Sequence, residues 1–285
     1  MTAHGEVDLV AIGHVTLDRT PSGTRPGGAA YYAAITAHRL GLRVGLLTSF
    51  GSDLPRDALP GSIDVENAET RQTTIYTIGT SPAGRTLTLA GRAADLEADR
   101  LPVPWRAAPL VLLCPVANEV DPALAASWEG AAVGVLPQGW MRRRGKGGVM
   151  ERERWPDAAA VLPHVQLLVV SSEDVGDDPE DAVGWFEQVP LAALTRGAAG
   201  ADLFVNGEPY HIAADPAVPL DETGAGDVFA STLLIEYQRE GDPWEAAAAA
   251  ACAAALSVEG EGVARIPDRA ALEARLAAYR RRRGE

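Results

Sequence analysis

Short runs of apolar residues alternate along this chain with Ala-rich segments of helical periodicity, and this alternation constrains the fold more than any other feature. Each run is followed by Gly, Pro or polar residues. The runs lie at residues 7–12, 44–47, 110–113, 132–136 and 165–170. Largely apolar runs of this kind are typical of strands buried on both faces of a parallel sheet. The pattern therefore predicts an α/β fold with a mostly parallel central sheet covered by helices on both faces.

Helical segments lie between and after these strands. The apolar spacing predicts helices over residues 29–40, 228–237, 243–258 and 268–282, and Gly41 is a stop signal for the first of them. A chain of 285 residues is long enough to bury a large core, so we predict a single domain over residues 1–285.

Residues 71–90 interrupt the alternation of strands and helices. Their Thr, Ile and Tyr content and the turn Pro82-Ala83-Gly84 predict a β-hairpin. Two interpretations remain open: a lid or interface flap over a site, or an edge hairpin on the main sheet. The apolar faces of such a hairpin also make a homodimer through the lid a candidate assembly. The Arg- and Gly-rich segment at residues 141–154 predicts a mobile loop.

Composition and charge exclude several functions. The formal net charge of −14 argues against a protein that binds nucleic-acid phosphates. The first residues show no basic region followed by an apolar stretch, and the Ala-rich segment 246–256 is too short to span a bilayer. We therefore predict a cytoplasmic protein with no membrane partner, in which Cys114 and Cys252 are buried free thiols.

The segment Gly224-Ala225-Gly226-Asp227 directly precedes a predicted helix that begins near Asp227. Small residues allow close approach of the backbone to a ligand, and the first N–H groups of a helix point outward without internal partners. Such a turn can bind the charge that develops on a transferring phosphoryl group, and Asp227 beside it can accept a proton as general base. The alternative is an ordinary helix start with Asp as a capping residue. A P-loop sequence is absent, as is a G-x-G-x-x-G fingerprint after the first strand.

Four segments in order resemble the ribokinase-like, or PfkB, carbohydrate kinase family. Residues 219–229 are similar to the C-terminal signature of that family, and residues 26–41 are similar to its Gly-Gly segment. Residues 51–53 resemble its G-x-D, and residues 195–200 resemble its T-x-G-x-x-G nucleotide turn. The order holds from about residue 8 to residue 265. The resemblance implies a ribokinase-like three-layer α/β/α fold in which residues 71–90 form a small β lid.

The resemblance also implies a role for each matching residue, with ATP and Mg²⁺ as cofactors. Asp227 would be the catalytic base, and Gly224, Ala225 and Gly226 would form the anion hole. The ATP-binding residues would be Thr195, Gly197, Gly200 and Thr223. The substrate-binding residues would be Asp18, Gly27, Gly28, Tyr32, Gln138 and Arg142. Asp174 and Glu173 would act on the metal, through water.

The chain departs from the family pattern at several positions. Tyr32 stands where the family has Asn, and Glu222 replaces a small hydroxyl residue. Ser171 and Asp174 occupy the Asn and Glu positions of the family's metal motif, and the alternative is that this segment only caps the next helix. Gln138 and Arg142 lie where relatives have polar substrate contacts, but the loop around them is equally readable as structural.

These patterns together predict an ATP-dependent kinase that phosphorylates a hydroxyl of a small sugar, an inositol-like polyol or a nucleoside. Because the Gly-Gly segment carries no Lys, an acceptor without a phosphate is favoured over a phosphosugar. The alternative function is a catalytically inactive small-molecule-binding or regulatory protein on the same fold. That alternative predicts loss of Asp227 or of the neighbouring glycines, and the sequence retains them.

Overall fold

The computed structural model describes residues 4–81, 84–176 and 180–284. The strands are β1 (Leu9–Ile12), β2 (Thr16–Thr20), β3 (Gly23–Gly27), β4 (Val44–Thr48), β5 (Asp64–Asn67), β6 (Thr74–Ser81), β7 (Gly84–Gly91), β8 (Leu110–Leu113), β9 (Ala132–Val135), β10 (Arg142–Arg144), β11 (Met150–Arg152), β12 (Leu167–Ser171), β13 (Leu191–Thr195), β14 (Ala201–Val205) and β15 (Glu208–Ile212). The helices are α1 (Ala29–Arg39), α2 (Ala158–Val161), α3 (Ser172–Val175), α4 (Glu180–Phe186), α5 (Ala225–Glu240), α6 (Pro243–Val258) and α7 (Arg269–Arg283).

The central sheet has nine strands in the order β15-β14-β13-β12-β9-β8-β1-β4-β5. The strands from β13 to β5 pair in parallel, and β14 and β15 join antiparallel at one edge. All five predicted apolar runs form strands of this sheet, so the predicted α/β fold is confirmed. Strands β5, β13, β14 and β15 were not predicted. For β13 the reason is that the Ala-rich run at residues 191–195 also fits a helix.

Each face of the central sheet carries its own apolar core. Along β1, Leu9 and Ala11 belong to one cluster, and Val10 and Ile12 belong to the other. Helices α1, α5, α6 and α7 contribute buried residues to the first cluster, whereas α2 and α4 contribute to the second. Because both faces are covered, the strands are apolar throughout rather than alternating, which explains the pattern in the sequence.

A separate four-stranded sheet lies in the order β3-β2-β6-β7. Strands β6 and β7 form the hairpin predicted at residues 71–90, but β6 pairs with β2 rather than with a strand of the central sheet. The interpretation as an edge hairpin of the main sheet is therefore wrong. The hydroxyl of Tyr76 in β6 donates a hydrogen bond to the carbonyl of Val116 (2.5 Å), which ties this small sheet to the loop after β8.

The segment at residues 141–154 is not the loop that its composition predicted. Strands β10 and β11 pair antiparallel, with Arg142 opposite Arg152. An ion pair between Arg143 and Glu151 joins the two strands, and the N–H of Glu153 donates to the carbonyl of Met141 (2.8 Å). The sequence missed this ribbon because neither face is consistently apolar, so no alternation marks it as a strand.

Both cysteines are buried and free, as predicted. Burial raises the pKa of the Cys114 thiol well above its usual value and raises that of Cys252 to about 12. Because the thiolate is the nucleophile, we expect neither thiol of the folded protein to react with Ellman's reagent at neutral pH. Both should react after unfolding in guanidinium chloride, as followed by absorbance. A native thiol that reacts as fast as free cysteine would contradict this prediction.

Among the described residues, none of the helices has the length and apolarity needed to cross a membrane.

Candidate active site

A cavity of about 710 Å³ opens at the carboxyl ends of the parallel strands. Its lining includes residues at or just after the ends of five strands of the central sheet: Thr16, Val116, Gln138, Ser171 and Thr195. Ligands of open α/β sheets bind in this crevice, where the strand ends and helix starts converge. The first turn of α5 and one face of the small sheet complete the lining.

Helix α5 begins at Ala225, two residues earlier than predicted, after Gly224 in the left-handed region (φ 82°). A Cβ atom at Gly224 would lie 2.4 Å from two ring carbons of Tyr32, so this position accepts only glycine. The N–H of Ala225 donates to the carbonyl of Glu222 (3.3 Å). This hydrogen bond partly occupies the N–H donor of one of the three residues predicted to form the anion hole. Glu222 itself is exposed, so its charge has access to solvent.

Asp227 lies in the first turn of α5 and lines the cavity together with Gly224, Ala225 and Gly226. The side-chain amide of Gln138 donates to Oδ1 of Asp227 at 3.4 Å, a long contact. Gln138 comes from the turn after β9, so the contact joins that turn to the start of α5. The carboxylate of Asp227 therefore lies beside the N–H groups at the start of α5. A carboxylate in this position can accept a proton next to a bound anion.

Tyr32 packs beneath this turn. The residue is 2 % exposed, its ring faces Gly224, and its buried hydroxyl has no hydrogen-bond partner among the described residues. Burial raises the pKa of the Tyr32 phenol, Arg25 opposes that rise, and the carboxylates of Asp18, Asp221 and Asp227 add to it. The phenol is therefore neutral and available as a donor inside the site.

Replacing Tyr32 by Phe removes this hydroxyl and keeps the ring that supports Gly224. Because no protein hydrogen bond is lost, we expect a free energy of unfolding within about 1 kcal/mol of the wild type, or slightly higher. Urea denaturation followed by circular dichroism measures it. A clear loss of stability would show that the hydroxyl has a structural partner.

Asp18 and the two glycines Gly27 and Gly28, three of the predicted substrate residues, lie together beside one end of the cavity. Asp18 is 5 % exposed, and its Oδ1 accepts a hydrogen bond from the hydroxyl of Thr16 (2.8 Å). Gly28 lines the cavity, but Gly27 does not. A Cβ atom at Gly27 would lie 2.2 Å from Oδ2 of Asp18, so Gly27 provides room for that carboxylate rather than a surface for substrate.

The predicted metal residues lie at the start of α3. Ser171 caps this helix by accepting the N–H of Glu173 (3.2 Å), and Ser171, Glu173 and Asp174 also line the cavity. Arg142 donates to Oδ1 of Asp174 at 2.5 Å, so a cation already neutralises this carboxylate. No cluster of three or more metal-ligating side chains occurs in the ranges described. Because Mg²⁺ commonly uses one or two carboxylates together with phosphates and water, the pair fits a water-mediated contact but not a protein cage.

The other end of the cavity receives the predicted nucleotide residues Thr195, Gly197, Gly200 and Thr223. Beside them lies an apolar slot whose residues the sequence analysis did not single out: Ala214, Ala217, Pro219, Ala251, Ala254, Ala255 and Val258. Four of these lie on α6, whose Ala-rich sequence indicated a buried helix and nothing more.

Two further charged residues near the site were also missed. Glu119 is 2 % exposed and accepts the backbone N–H groups of His14 (2.9 Å), Val116 and Ala117 (2.6 Å). It thereby joins the loops that follow β1 and β8. Arg25 on β3 forms an ion pair with Asp221 (2.6 Å). A single Glu or Arg within a polar segment carries no sequence signal of such long-range contacts. The side chain of Arg85 lies outside the described residues.

Comparisons with known proteins bear on the fold and the family of this chain. The sequence model of the "pfkB family carbohydrate kinase" matches residues 140–269. The cytidine kinase of Thermococcus kodakarensis is 29% identical over 264 residues, which cover 84% of this chain and 91% of that protein. Arabidopsis thaliana ribokinase, solved with ribose and ATP, superimposes with a TM-score of 0.74 at 19% identity and covers 95% of this chain and 99% of its own.

A pyrophosphate-dependent kinase of the ribokinase family, solved with a pyrophosphate analogue and myo-inositol, also has a TM-score of 0.74 at 19% identity. It covers 93% of this chain and 99% of its own length. These structural matches establish a shared ribokinase-like fold. The sequence matches and the signature at residues 219–229 show that the chain is similar to the PfkB, ribokinase-like carbohydrate kinases, and they support a phosphotransferase that acts on a hydroxyl group.

Proposed function

We propose that this protein transfers the γ-phosphate of ATP to a hydroxyl group of a small nucleoside, with Asp227 as general base. The observation that carries the proposal is the position of Asp227. It lies on a glycine-rich helix start and lines the same cavity as the residues proposed to bind the nucleotide, which we call the nucleotide end, and those proposed to bind the substrate, which we call the acceptor end.

The apolar slot supports ATP as the phosphate donor. Its walls are Ala251, Ala254, Ala255 and Val258 from α6, with Pro219 beside them. Such a surface suits the flat face of an adenine base, whereas pyrophosphate has no apolar part to bury. Pyrophosphate is nevertheless the donor named for one kinase of the same fold, and it is the second candidate.

The chemistry follows from the groups at the meeting point of the two ends. Asp227 would accept the proton of the attacking hydroxyl, and Gln138 would orient that carboxylate. The N–H groups at the start of α5 would bind the transferring phosphoryl group. Mg²⁺, when bound with ATP, supplies charge neutralisation on the phosphates, and Asp174 and Glu173 would hold its water shell.

The lining of the acceptor end favours a nucleoside. One wall is apolar and consists of Tyr76, Ile78, Leu87 and Val116, while Asp18 provides a carboxylate for vicinal hydroxyls. A nucleoside has this amphipathic character because a planar base is attached to a polar ribose. The cytidine kinase among the relatives supports the same choice. Three of the apolar residues belong to the small sheet, which we propose acts as a lid over the acceptor.

A screen of ATP consumption tests the proposal. Purified protein is incubated with Mg²⁺ and ATP or pyrophosphate, and product formation is measured over nucleosides, sugars and polyols. We expect turnover with ATP and with pyrimidine nucleosides above all other acceptors. Preferred turnover of a hexose or of inositol would show that the acceptor is a sugar or a polyol rather than a nucleoside. Failure of every hydroxylated compound with both donors would favour an inactive binding protein.

A further inference from the structure

Arg25 lies on β3 of the small sheet and does not line the cavity, yet it contacts the loop that leads into the helix start at Gly224. Its Nη1 lies 2.6 Å from Oδ2 of Asp221, and its Nη2 donates to the hydroxyl of Thr223 at 3.2 Å. Arg25 and Thr223 are separated by 198 positions in the sequence. The side chains of the ion pair are only 25% and 12% exposed, so solvent screens the pair weakly.

Asp221 organises the loop to which Arg25 is attached. Its carboxylate accepts the N–H of Thr223 (3.1 Å) and the N–H of Gly262 (2.8 Å). Burial alone would raise the pKa of Asp221, but these N–H groups and the Arg25 guanidinium hold it below its usual value. Without the guanidinium, a half-buried carboxylate would be left with neutral donors alone. It would then turn toward solvent and release the loop.

The other end of the connection is the acceptor side of the site. Strands β2 and β3 pair antiparallel, and Arg25 lies directly opposite Asp18 in their register. Asp18 lines the cavity on the small sheet, and residues 221–224 end at the glycine that packs on Tyr32. Arg25 therefore connects the small sheet, which carries Asp18, to the loop before the proposed phosphate-binding turn.

We propose that Arg25 is a positioning residue that fixes the loop at residues 221–224 against the small sheet, so that the anion-binding start of α5 is preorganised for the terminal phosphate of the donor. This inference rests on the proposed use of ATP. It requires the guanidinium rather than any polar side chain, because one planar group must reach Asp221 and Thr223 together. Its Nε is buried without a partner among the described residues, so these two contacts hold the group in place.

Three variants test the proposal. Arg25→Met removes the charge with little change in volume, and Arg25→Lys keeps the charge without the planar geometry. Arg269→Met is the matched control, because Arg269 forms a similar ion pair with Glu236 (2.5 Å; side chains 27% and 4% exposed) that joins α7 to α5 away from the cavity. Binding of adenosine and of the non-hydrolysable analogue AMP-PNP with Mg²⁺ is measured for each by titration calorimetry, with a pyrimidine nucleoside present at saturation so that adenosine reports on the donor slot alone.

We expect Arg25→Met to weaken AMP-PNP binding about 10-fold and to leave adenosine binding within about twofold, since only the phosphate-binding turn is released. Arg25→Lys should recover part of the loss, and millimolar methylguanidinium should restore AMP-PNP binding by Arg25→Met. Arg269→Met should bind both ligands as the wild type does. Unchanged AMP-PNP binding by Arg25→Met overturns the proposal. An equal loss of adenosine and AMP-PNP binding without rescue also overturns it, because it would indicate general destabilisation.

Hydrogen exchange provides a readout that needs no nucleotide, so failure of the proposed function can be told apart from failure of this inference. We expect the amides of Thr223 and Gly262 to exchange faster in Arg25→Met than in the wild type and in Arg269→Met. If the wild-type protein binds no adenine nucleotide, the proposed donor is wrong, and the exchange rates alone decide whether Arg25 fixes the loop. Equal exchange in all three proteins would refute the inference.

Discussion

Replacing Asp227 by Asn is expected to lower kcat at least about 100-fold while binding of AMP-PNP is retained. The substitution keeps the size of the side chain and its contact with Gln138, but an amide cannot accept the proton of the attacking hydroxyl. Because Asp227 lies beside the phosphate-binding turn rather than in the apolar slot, nucleotide affinity should change little. Steady-state kinetics with the acceptor found by the screen, together with calorimetry, measures both quantities.

Glu222→Gln is the charge-matched control for that variant. Glu222 lies in the same loop and borders the same cavity, but it is exposed. Removing its negative charge near the phosphates should cause no loss of kcat. If Glu222→Gln and Asp227→Asn have the same kcat, loss of a negative charge near the phosphates is enough to explain the effect at Asp227, without a role as base. Wild-type turnover by Asp227→Asn would refute the assignment of the base.

Replacing Gly224 by Ala is expected to abolish most activity and to destabilise the protein. The new methyl group would meet the Tyr32 ring at 2.4 Å, and alanine would be strained at a φ of 82°. The backbone and packing terms together suggest a loss of about 2–4 kcal/mol in the free energy of unfolding. Displacement of the first N–H groups of α5 should lower kcat about 100- to 1,000-fold, as loss of one oxyanion donor does in other enzymes.

Gly226→Ala is the matched control, because it adds a methyl group to the same turn without backbone strain or a contact with Tyr32. Apart from its chain neighbours and the backbone of its own helix, no heavy atom lies within 4 Å of the Cβ position at Gly226, and the residue is inside the helix. Its stability should equal or exceed that of the wild type by about 0.5–1 kcal/mol, because alanine favours the helical state. Urea denaturation of both variants measures the difference. Equal stability of Gly224→Ala and Gly226→Ala would contradict the packing of Gly224 on Tyr32.

Much of the fold was predictable because strands that are buried on both faces of a sheet are apolar throughout, and such runs are visible in the sequence. The strand at residues 110–113 and the helix at residues 243–258 were predicted with their observed bounds. The hairpin of β14 and β15 was not predicted, although Asn206-Gly207 at its turn is a strong local signal and both residues have positive φ. The partners of the hairpin at residues 71–90 were also missed. Strands β2 and β3 are short and polar, and only pairing in space makes them part of a sheet.

The predicted site residues converge on one cavity with the exception of Gly27. Their order along the chain was sufficient to propose them, because a turn of Gly and Asp at a helix start has the same local chemistry wherever it occurs. Arg25, Glu119 and the apolar slot at α6 could not be proposed in the same way. Their effect depends on groups far away in the sequence, such as Asp221 for Arg25.

The sequence by itself determined the α/β architecture, the resemblance to the PfkB family and the proposal of Gly224 to Asp227 as the reactive turn. These features depend on local patterns: apolar runs, helix periodicity and short motifs. The tertiary structure alone decided that Tyr32 supports Gly224, that Arg142 neutralises Asp174, and that Arg25 joins the small sheet to the loop at residues 221–224. Packing and ion pairs act through space, and their partners are set by the fold rather than by neighbouring residues in the chain.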